Sequence, residues 1–151
     1  MNNRASILIV DDEEVVRRSH LRSLAGTGCR AEAAGDGTEA LRVMEQHPFD
    51  VVLLDLRMPG LDGMEVLKTI KARWPESEVV IITGYPTLDS AKEAVRLGAQ
   101  NYLAKPVGPD DVIRAANDAV MHKRWTIRSD PEDRAAKQSA SNQDPKQAVI
   151  H

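Results

Sequence analysis

The chain has 151 residues, of which 42% are hydrophobic and 28% charged, and its formal net charge is -3. The length fits one packed domain with room for a tail, and the acidic balance argues against a protein that binds nucleic acid directly through phosphate contacts. No apolar run approaches the roughly 18 residues of a membrane span. A single cysteine excludes an internal disulfide framework and favours a cytoplasmic location.

Short apolar runs alternate with stretches of helical period, a pattern typical of repeated strand–helix units. In chain order, strands are predicted at 7–10, 30–34, 51–54, 79–82 and 102–104. Helices are predicted at 13–25, 38–46, 63–73 and 88–97, and a last one opens at Pro109. The fourth helix is expected to bury Ala91, Ala94 and Val95. The four histidines show no ligand spacing and are expected on the surface or on helix flanks.

These elements predict an α/β fold, a three-layer sandwich around a parallel five-stranded sheet. Among the known doubly wound folds we choose the flavodoxin-like one, with strand order 2-1-3-4-5. The domain is expected to span residues 5–122. From 123 to 151 the composition becomes polar, which predicts a disordered C-terminal tail.

Polar residues follow four of the predicted strands. Asp11 and Asp12 follow the first strand, Asp55 the third, Thr83 the fourth and Lys105 the fifth. The carboxyl ends of parallel strands meet at one edge of the sheet, so these side chains are expected to converge. A lone aspartate there would more often cap the next helix, but the complete set favours a functional site. Clustered carboxylates are suitable ligands for Mg²⁺.

Asp55 is the best candidate for the reactive carboxylate, because it follows the most apolar run. A carboxylate can attack phosphorus to form an aspartyl phosphate. Lys105 and Mg²⁺ would stabilise the transferring group, and Thr83 would hydrogen-bond to it afterwards. A cis peptide bond between Lys105 and Pro106 would direct the lysine towards this site.

Together these motifs resemble the receiver domain of bacterial two-component response regulators. The matching segments stand in the family's order: Val10-Asp11-Asp12, Leu54-Asp55 with Met58-Pro59-Gly60-Leu61-Asp62-Gly63, Ile82-Thr83-Gly84, and Tyr102-Leu103-Ala104-Lys105-Pro106. The stretch from Gly84 to Ala91 is most similar to receivers of the nitrogen-regulation type.

The resemblance implies that Asp55 accepts a phosphoryl group from a sensor histidine kinase or a histidine phosphotransfer protein. Mg²⁺ would be held by Asp11, Asp12, Asp55 and the backbone carbonyl of Arg57. Thr83 would be the switch hydroxyl, Lys105 the phosphate-contacting amine, and Tyr102 the aromatic residue that turns inward. A downstream effector protein would bind the face of the fourth helix, fifth strand and fifth helix, and a phosphorylation-dependent homodimer is compatible with the family.

An enzyme is the competing reading, since haloacid-dehalogenase-like phosphohydrolases also use a strand-end aspartate with Thr, Lys and Mg²⁺. Such enzymes need a second aspartate where Arg57 stands, and their acidic pair comes last in the chain. We therefore expect a signalling phosphoacceptor and no enzyme beyond self-catalysed phosphorylation and dephosphorylation. Arg57 and Tyr85 are bulky, which suggests slow loss of phosphate. The sequence leaves open whether the protein acts alone or is the front part of a longer one.

Overall fold

The computed structural model describes residues 4–58, 60 and 62–128. Within them, strands and helices alternate strictly. The strands are β1 (Ser6–Val10), β2 (Arg30–Ala34), β3 (Val51–Leu54), β4 (Glu78–Thr83) and β5 (Asn101–Ala104). The helices are α1 (Glu14–Ala25), α2 (Gly37–Gln46), α3 (Gly63–Arg73), α4 (Leu88–Arg96) and α5 (Pro109–Arg128). No helix among these residues is both long and apolar enough to cross a bilayer.

The five strands of the described residues form one parallel sheet in the order β2-β1-β3-β4-β5, which confirms the predicted order. β1 and β3 are neighbours, and Val10 pairs with Leu54 at their carboxyl ends. β4 lies on the other side of β3, with Ile81 opposite Leu54. The residues that follow β1 and β3 are therefore brought side by side.

Both faces of the sheet are covered, as the continuous apolar strands predict. Alternate strand residues such as Leu8, Val52 and Ile81 pack against α2, α3 and α4. The intervening residues, such as Ile9 and Leu53, pack against α1 and α5. The strand ends are consequently held by two separate apolar cores and form a rigid edge.

The helices near this edge begin at defined caps. Asp62 accepts a hydrogen bond from the Met64 N–H at the start of α3, and Thr87 and Ser90 form a reciprocal capping box at the start of α4. The start of α3 packs so closely on the loop after β3 that position 63 requires glycine. A Cβ at Gly63 would lie 2.5 Å from Leu56 Cα and 2.9 Å from the Asp55 carbonyl oxygen. α3 thus begins in direct contact with the backbone that carries Asp55.

Three expectations need correction or qualification. Val95 is 64% exposed and not inward, because α4 packs on the sheet through the small Ala94, whereas Ala91 is only partly buried. His20 is buried and not on the surface, because it lies on the inner face of α1. α5 continues to Arg128, past the predicted domain end at 122, and residues 129–151 of the predicted tail lie outside the described residues.

Candidate functional site

Three carboxylates meet at the carboxyl edge of the sheet. Oxygen atoms of Asp11, Asp12 and Asp55 all lie within 4.8 Å of one another. The pairing of β1 with β3 causes this, since the Asp55 N–H donates to the Val10 carbonyl at 2.9 Å and continues the ladder. Asp11 and Asp55 are buried, whereas Asp12 is exposed. The predicted acidic cluster is therefore confirmed as a geometric arrangement.

Lys105 directly follows the edge strand β5, and its side chain reaches the two buried carboxylates. Its Nζ lies 2.8 Å from Asp11 Oδ2 and 3.1 Å from Asp55 Oδ2. The Lys105–Pro106 peptide bond is cis, as the sequence suggested. The other oxygen of each carboxylate is held by the backbone: Asp11 Oδ1 accepts from the Glu13 N–H, and Asp55 Oδ1 from the Arg57 N–H. Both carboxylates are thus fixed in orientation.

The charges at the site are incompletely balanced. Burial raises the pKa of the Asp55 carboxyl, and the hydrogen bonds from the Arg57 N–H and Lys105 offset this rise only in part. Burial lowers the pKa of Lys105, but its hydrogen bonds to Asp11 and Asp55 outweigh burial and leave that pKa raised. One ammonium group therefore faces a surplus of negative charge, which a hard cation would neutralise.

The donor set fits Mg²⁺. This ion prefers oxygen ligands, is bound through one or two carboxylates, and keeps positions for water and substrate phosphate. Asp11, Asp12 and Asp55 supply such oxygens at a partly open edge. The carbonyl of Arg57 as a further ligand stays a prediction.

Thr83 and Tyr102 lie on the two strands beyond β3. Thr83 ends β4 and is fully buried, and its Oγ1 accepts a hydrogen bond from the Tyr85 N–H at 3.2 Å. Tyr102 on β5 is half-buried, and its hydroxyl contacts the start of α4, 2.5 Å from Ser90 Oγ. In this structure the tyrosine is therefore bound to α4.

The structure adds neighbours that sequence reasoning missed. The Arg57 guanidinium stacks 4.0 Å above the Tyr85 ring, so the two bulky residues form one cover beside the site. Arg17 donates to the Asp11 carbonyl oxygen at 2.8 Å. Burial lowers the pKa of His20. The negative charge of Asp11 opposes this shift, and the positive charge of Lys105 reinforces it. His20 lies four residues before the buried Leu24, so helical periodicity could have predicted that it faces inward. The polarity of the imidazole favoured a surface position instead.

The family model for the response regulator receiver domain matches residues 7–117. The chain belongs to this family. As a receiver domain it is a signalling module of response regulators, and this supports the signalling reading of the sequence over the phosphohydrolase reading.

Among the curated relatives of this receiver is the DNA-binding transcriptional regulator NtrC of Escherichia coli K12, 38% identical over 119 residues. A putative NtrX-like response regulator of Rickettsia felis is 34% identical over 113 residues. These matches cover 79% and 74% of the chain but only 25% and 24% of the relatives. The receiver thus spans about a quarter of their length. The likeness to nitrogen-regulation receivers is confirmed.

Solved structures show the same fold. A CheY-like receiver domain protein of Methanospirillum hungatei superposes with a TM-score of 0.79 at 27% identity, covering 82% of this chain and 99% of that one. NtrX of Brucella abortus gives 0.77 at 32% identity, covering 82% of this chain and 29% of that one. The flavodoxin-like, CheY-like architecture is therefore confirmed.

Proposed function

We propose that the chain accepts a phosphoryl group on Asp55 from a sensor histidine kinase or a histidine phosphotransfer protein, and that it then switches conformation to control a downstream effector protein. The observation that carries this proposal is the placement of Asp55. Its buried carboxylate lies within reach of Lys105 Nζ at 3.1 Å and within 4.8 Å of the Asp11 and Asp12 oxygens.

The transfer is a substitution at phosphorus. A carboxylate oxygen of Asp55 forms the new P–O bond, while the P–N bond to the donor imidazole breaks and its electron pair stays on the imidazole nitrogen. Asp11, Asp12 and Asp55, with the Arg57 carbonyl, would hold Mg²⁺, which supplies positive charge to the phosphoryl oxygens. Lys105 is positioned to contact the same group, because its ammonium already spans Asp11 and Asp55.

The switch is assigned to Thr83 and Tyr102. Thr83 ends β4, the strand next to β3, and its hydroxyl oxygen accepts the Tyr85 N–H. The same hydroxyl can donate its own proton to a phosphoryl oxygen on Asp55. Space for Tyr102 to turn inward would then open beside it. A bond that forms only in the phosphorylated state favours one conformation over the other.

The partner surface is the face formed by α4, β5 and α5, and phosphorylation can also lead two copies of the chain to pair. Lys92 and Arg96 are exposed there. We assign the protein to the cytoplasm, because its phosphodonor would be found there. We assign it no direct nucleic-acid contact and no substrate other than its own phosphodonor.

Incubation with acetyl phosphate and Mg²⁺ followed by intact mass measurement tests the site. Wild type and Asp50→Asn should gain one phosphoryl mass, and Asp55→Asn should gain none. Asp50 is a suitable control because it lies at the opposite end of β3. Equal gains in all three proteins would contradict the assignment of Asp55, and turnover of a generic phosphomonoester would favour the enzyme.

A further inference from the structure

The hydroxyl of Tyr102 belongs to a closed hydrogen-bond network with Thr87 and Ser90. Tyr102 Oη lies 2.5 Å from Ser90 Oγ and accepts from the Thr87 N–H at 3.3 Å. Within the network, Thr87 Oγ1 donates to Ser90 Oγ at 2.9 Å, and the Ser90 N–H donates to Thr87 Oγ1 at 3.0 Å. Ser90 Oγ also lies 3.1 Å from the Thr87 carbonyl oxygen.

One arrangement of the hydroxyl protons satisfies this network. Ser90 carries one hydroxyl proton and two acceptor positions. If that proton goes to the Thr87 carbonyl, Ser90 Oγ can accept from both Thr87 Oγ1 and the Tyr102 hydroxyl. Tyr102 Oη is then left to accept the Thr87 N–H. The Thr87 N–H is shared between Tyr102 Oη at 3.3 Å and Ser90 Oγ at 3.4 Å, so Tyr102 completes the cap of α4.

The same chain segment joins this network to the phosphorylation site. Thr83 ends β4, and the loop after it leads directly to Thr87 at the start of α4. Tyr102 lies on β5, whose residues pair with β4. A movement of Thr83 therefore pulls on the loop that carries the cap, while Tyr102 is attached to the cap itself.

We propose that Ser90 is a positioning residue of the switch, one that holds Tyr102 against the first turn of α4 until phosphorylation of Asp55 releases it. The proposal rests on the function proposed above. Losing one neutral hydrogen bond shifts such an equilibrium by about threefold to tenfold. Removing the Ser90 hydroxyl should therefore lower the concentration of phosphoryl mimic that is needed to drive the switch by that factor.

Nuclear magnetic resonance with tyrosine ¹³C-labelled at the hydroxyl-bearing carbon tests this. The chain has two tyrosines, so Tyr85→Phe assigns both resonances. In Ser90→Ala the Tyr102 resonance of the free protein should move towards its position in wild type saturated with Mg²⁺ and beryllium trifluoride, and Ser90→Thr should restore it. Ser23→Ala is the matched control, because its hydroxyl bonds to the Ser19 carbonyl on an exposed part of α1.

The midpoint of a beryllium trifluoride titration, followed on the Tyr85 resonance, gives the second measurement. Ser90→Ala should lower the midpoint about threefold to tenfold. In a Tyr102→Phe background the same substitution should have no further effect. Two results would overturn the role of Ser90. One is a Tyr102 resonance that does not move in the free Ser90→Ala protein. The other is a midpoint that Ser90→Ala lowers equally in the Tyr102→Phe background. If wild type shows no Asp55-dependent response to beryllium trifluoride, the proposed function is overturned instead. The Tyr102 resonance of the free protein still tests the contact with Ser90 in that case.

Discussion

Replacing Asp55 by asparagine should stabilise the protein at neutral pH in the absence of divalent ions. With carboxylate oxygens within 4.8 Å, each pair among Asp11, Asp12 and Asp55 repels by at least about 3.5 kcal/mol at an effective dielectric constant of about 20. Lys105 Nζ at 3.1 Å attracts Asp55 by about 5 kcal/mol on the same scale. Repulsion from Asp11 and Asp12 together exceeds this attraction by about 2 kcal/mol before screening. Screening of the exposed Asp12 lowers that figure, and the burial of Asp55 adds to the penalty.

Asparagine removes this penalty without leaving a buried charge alone, because Lys105 keeps its partner Asp11 at 2.8 Å. We expect the free energy of unfolding of Asp55→Asn to exceed that of wild type by about 1–3 kcal/mol at pH 7. Urea denaturation in EDTA measures the difference. Added Mg²⁺ should reduce the advantage, because it binds the native carboxylates of wild type.

The pH dependence has a definite sign. The pKa of Asp55 is raised in the folded protein, mainly by burial. Its protonation therefore favours folding below the unfolded pKa of about 4, and this contribution is lost as the pH rises through the folded pKa. The advantage of Asp55→Asn should consequently be small near pH 3 and grow towards neutrality.

Asp50, at the other end of β3, is the matched control. Burial acts to raise its pKa, but the Lys123 ammonium and the Ser6 N–H outweigh burial, and the pKa is lowered. Ionised Asp50 therefore stabilises the folded protein at pH values above its unfolded-state pKa. This stabilisation is lost as the pH falls through the folded-state pKa. Asp50→Asn should thus cost about 1–2 kcal/mol at pH 7. A less stable Asp55→Asn protein at pH 7 in EDTA would refute the claim that the site carries uncompensated negative charge.

Three further variants test the backbone at Gly63, the ammonium group of Lys105, and the cover formed by Arg57 and Tyr85. Gly63→Ala should lower the free energy of unfolding by about 2–3 kcal/mol in urea denaturation, because its Cβ would lie 2.5 Å from Leu56 Cα. Gly26→Ala is the control and should not lower it, because no atom lies within 4 Å of a Cβ at that position. Lys105→Met should raise Mg²⁺ affinity about tenfold in a fluorescence titration, since a cation next to the carboxylates is removed; weaker binding would contradict this. Alanine at both Arg57 and Tyr85 should shorten the lifetime of the aspartyl phosphate about twofold to fivefold, measured by phosphate release. Arg73→Ala, which removes a similar stack on Trp74 at 4.5 Å, should leave the lifetime unchanged.

The sequence was sufficient for the sheet and for most of the site because both follow from one rule. Parallel strands end at a common edge, so residues directly after an apolar run can be assigned to that edge without knowledge of any contact. Asp11, Asp55 and Lys105 are of this kind, and the structure brings them together.

Contacts between distant segments could not be derived in the same way. The bond between Ser90 and Tyr102 joins residues from α4 and β5, and the stack of Arg57 on Tyr85 joins two loops. Val95 was misassigned because α4 has apolar residues on two adjacent faces. Helical period alone does not show that the face with alanines is the one that packs on the sheet.

The light packing of α4 leads to a last prediction. α3 buries Val66, Leu67 and Ile70, whereas α4 buries only Ala94 among its described residues, and Leu88 and Val95 are 70% and 64% exposed. Burying two such side chains would contribute about 3–6 kcal/mol, which α4 forgoes. Native-state hydrogen exchange should therefore show the amides of α4 opening at a free energy several kcal/mol below those of α3. Under the proposed function α4 moves when Asp55 is phosphorylated, and light packing lowers the free-energy cost of that movement. Equal protection of the two helices would mean that contacts other than apolar packing hold α4, and weak packing would then not explain its movement.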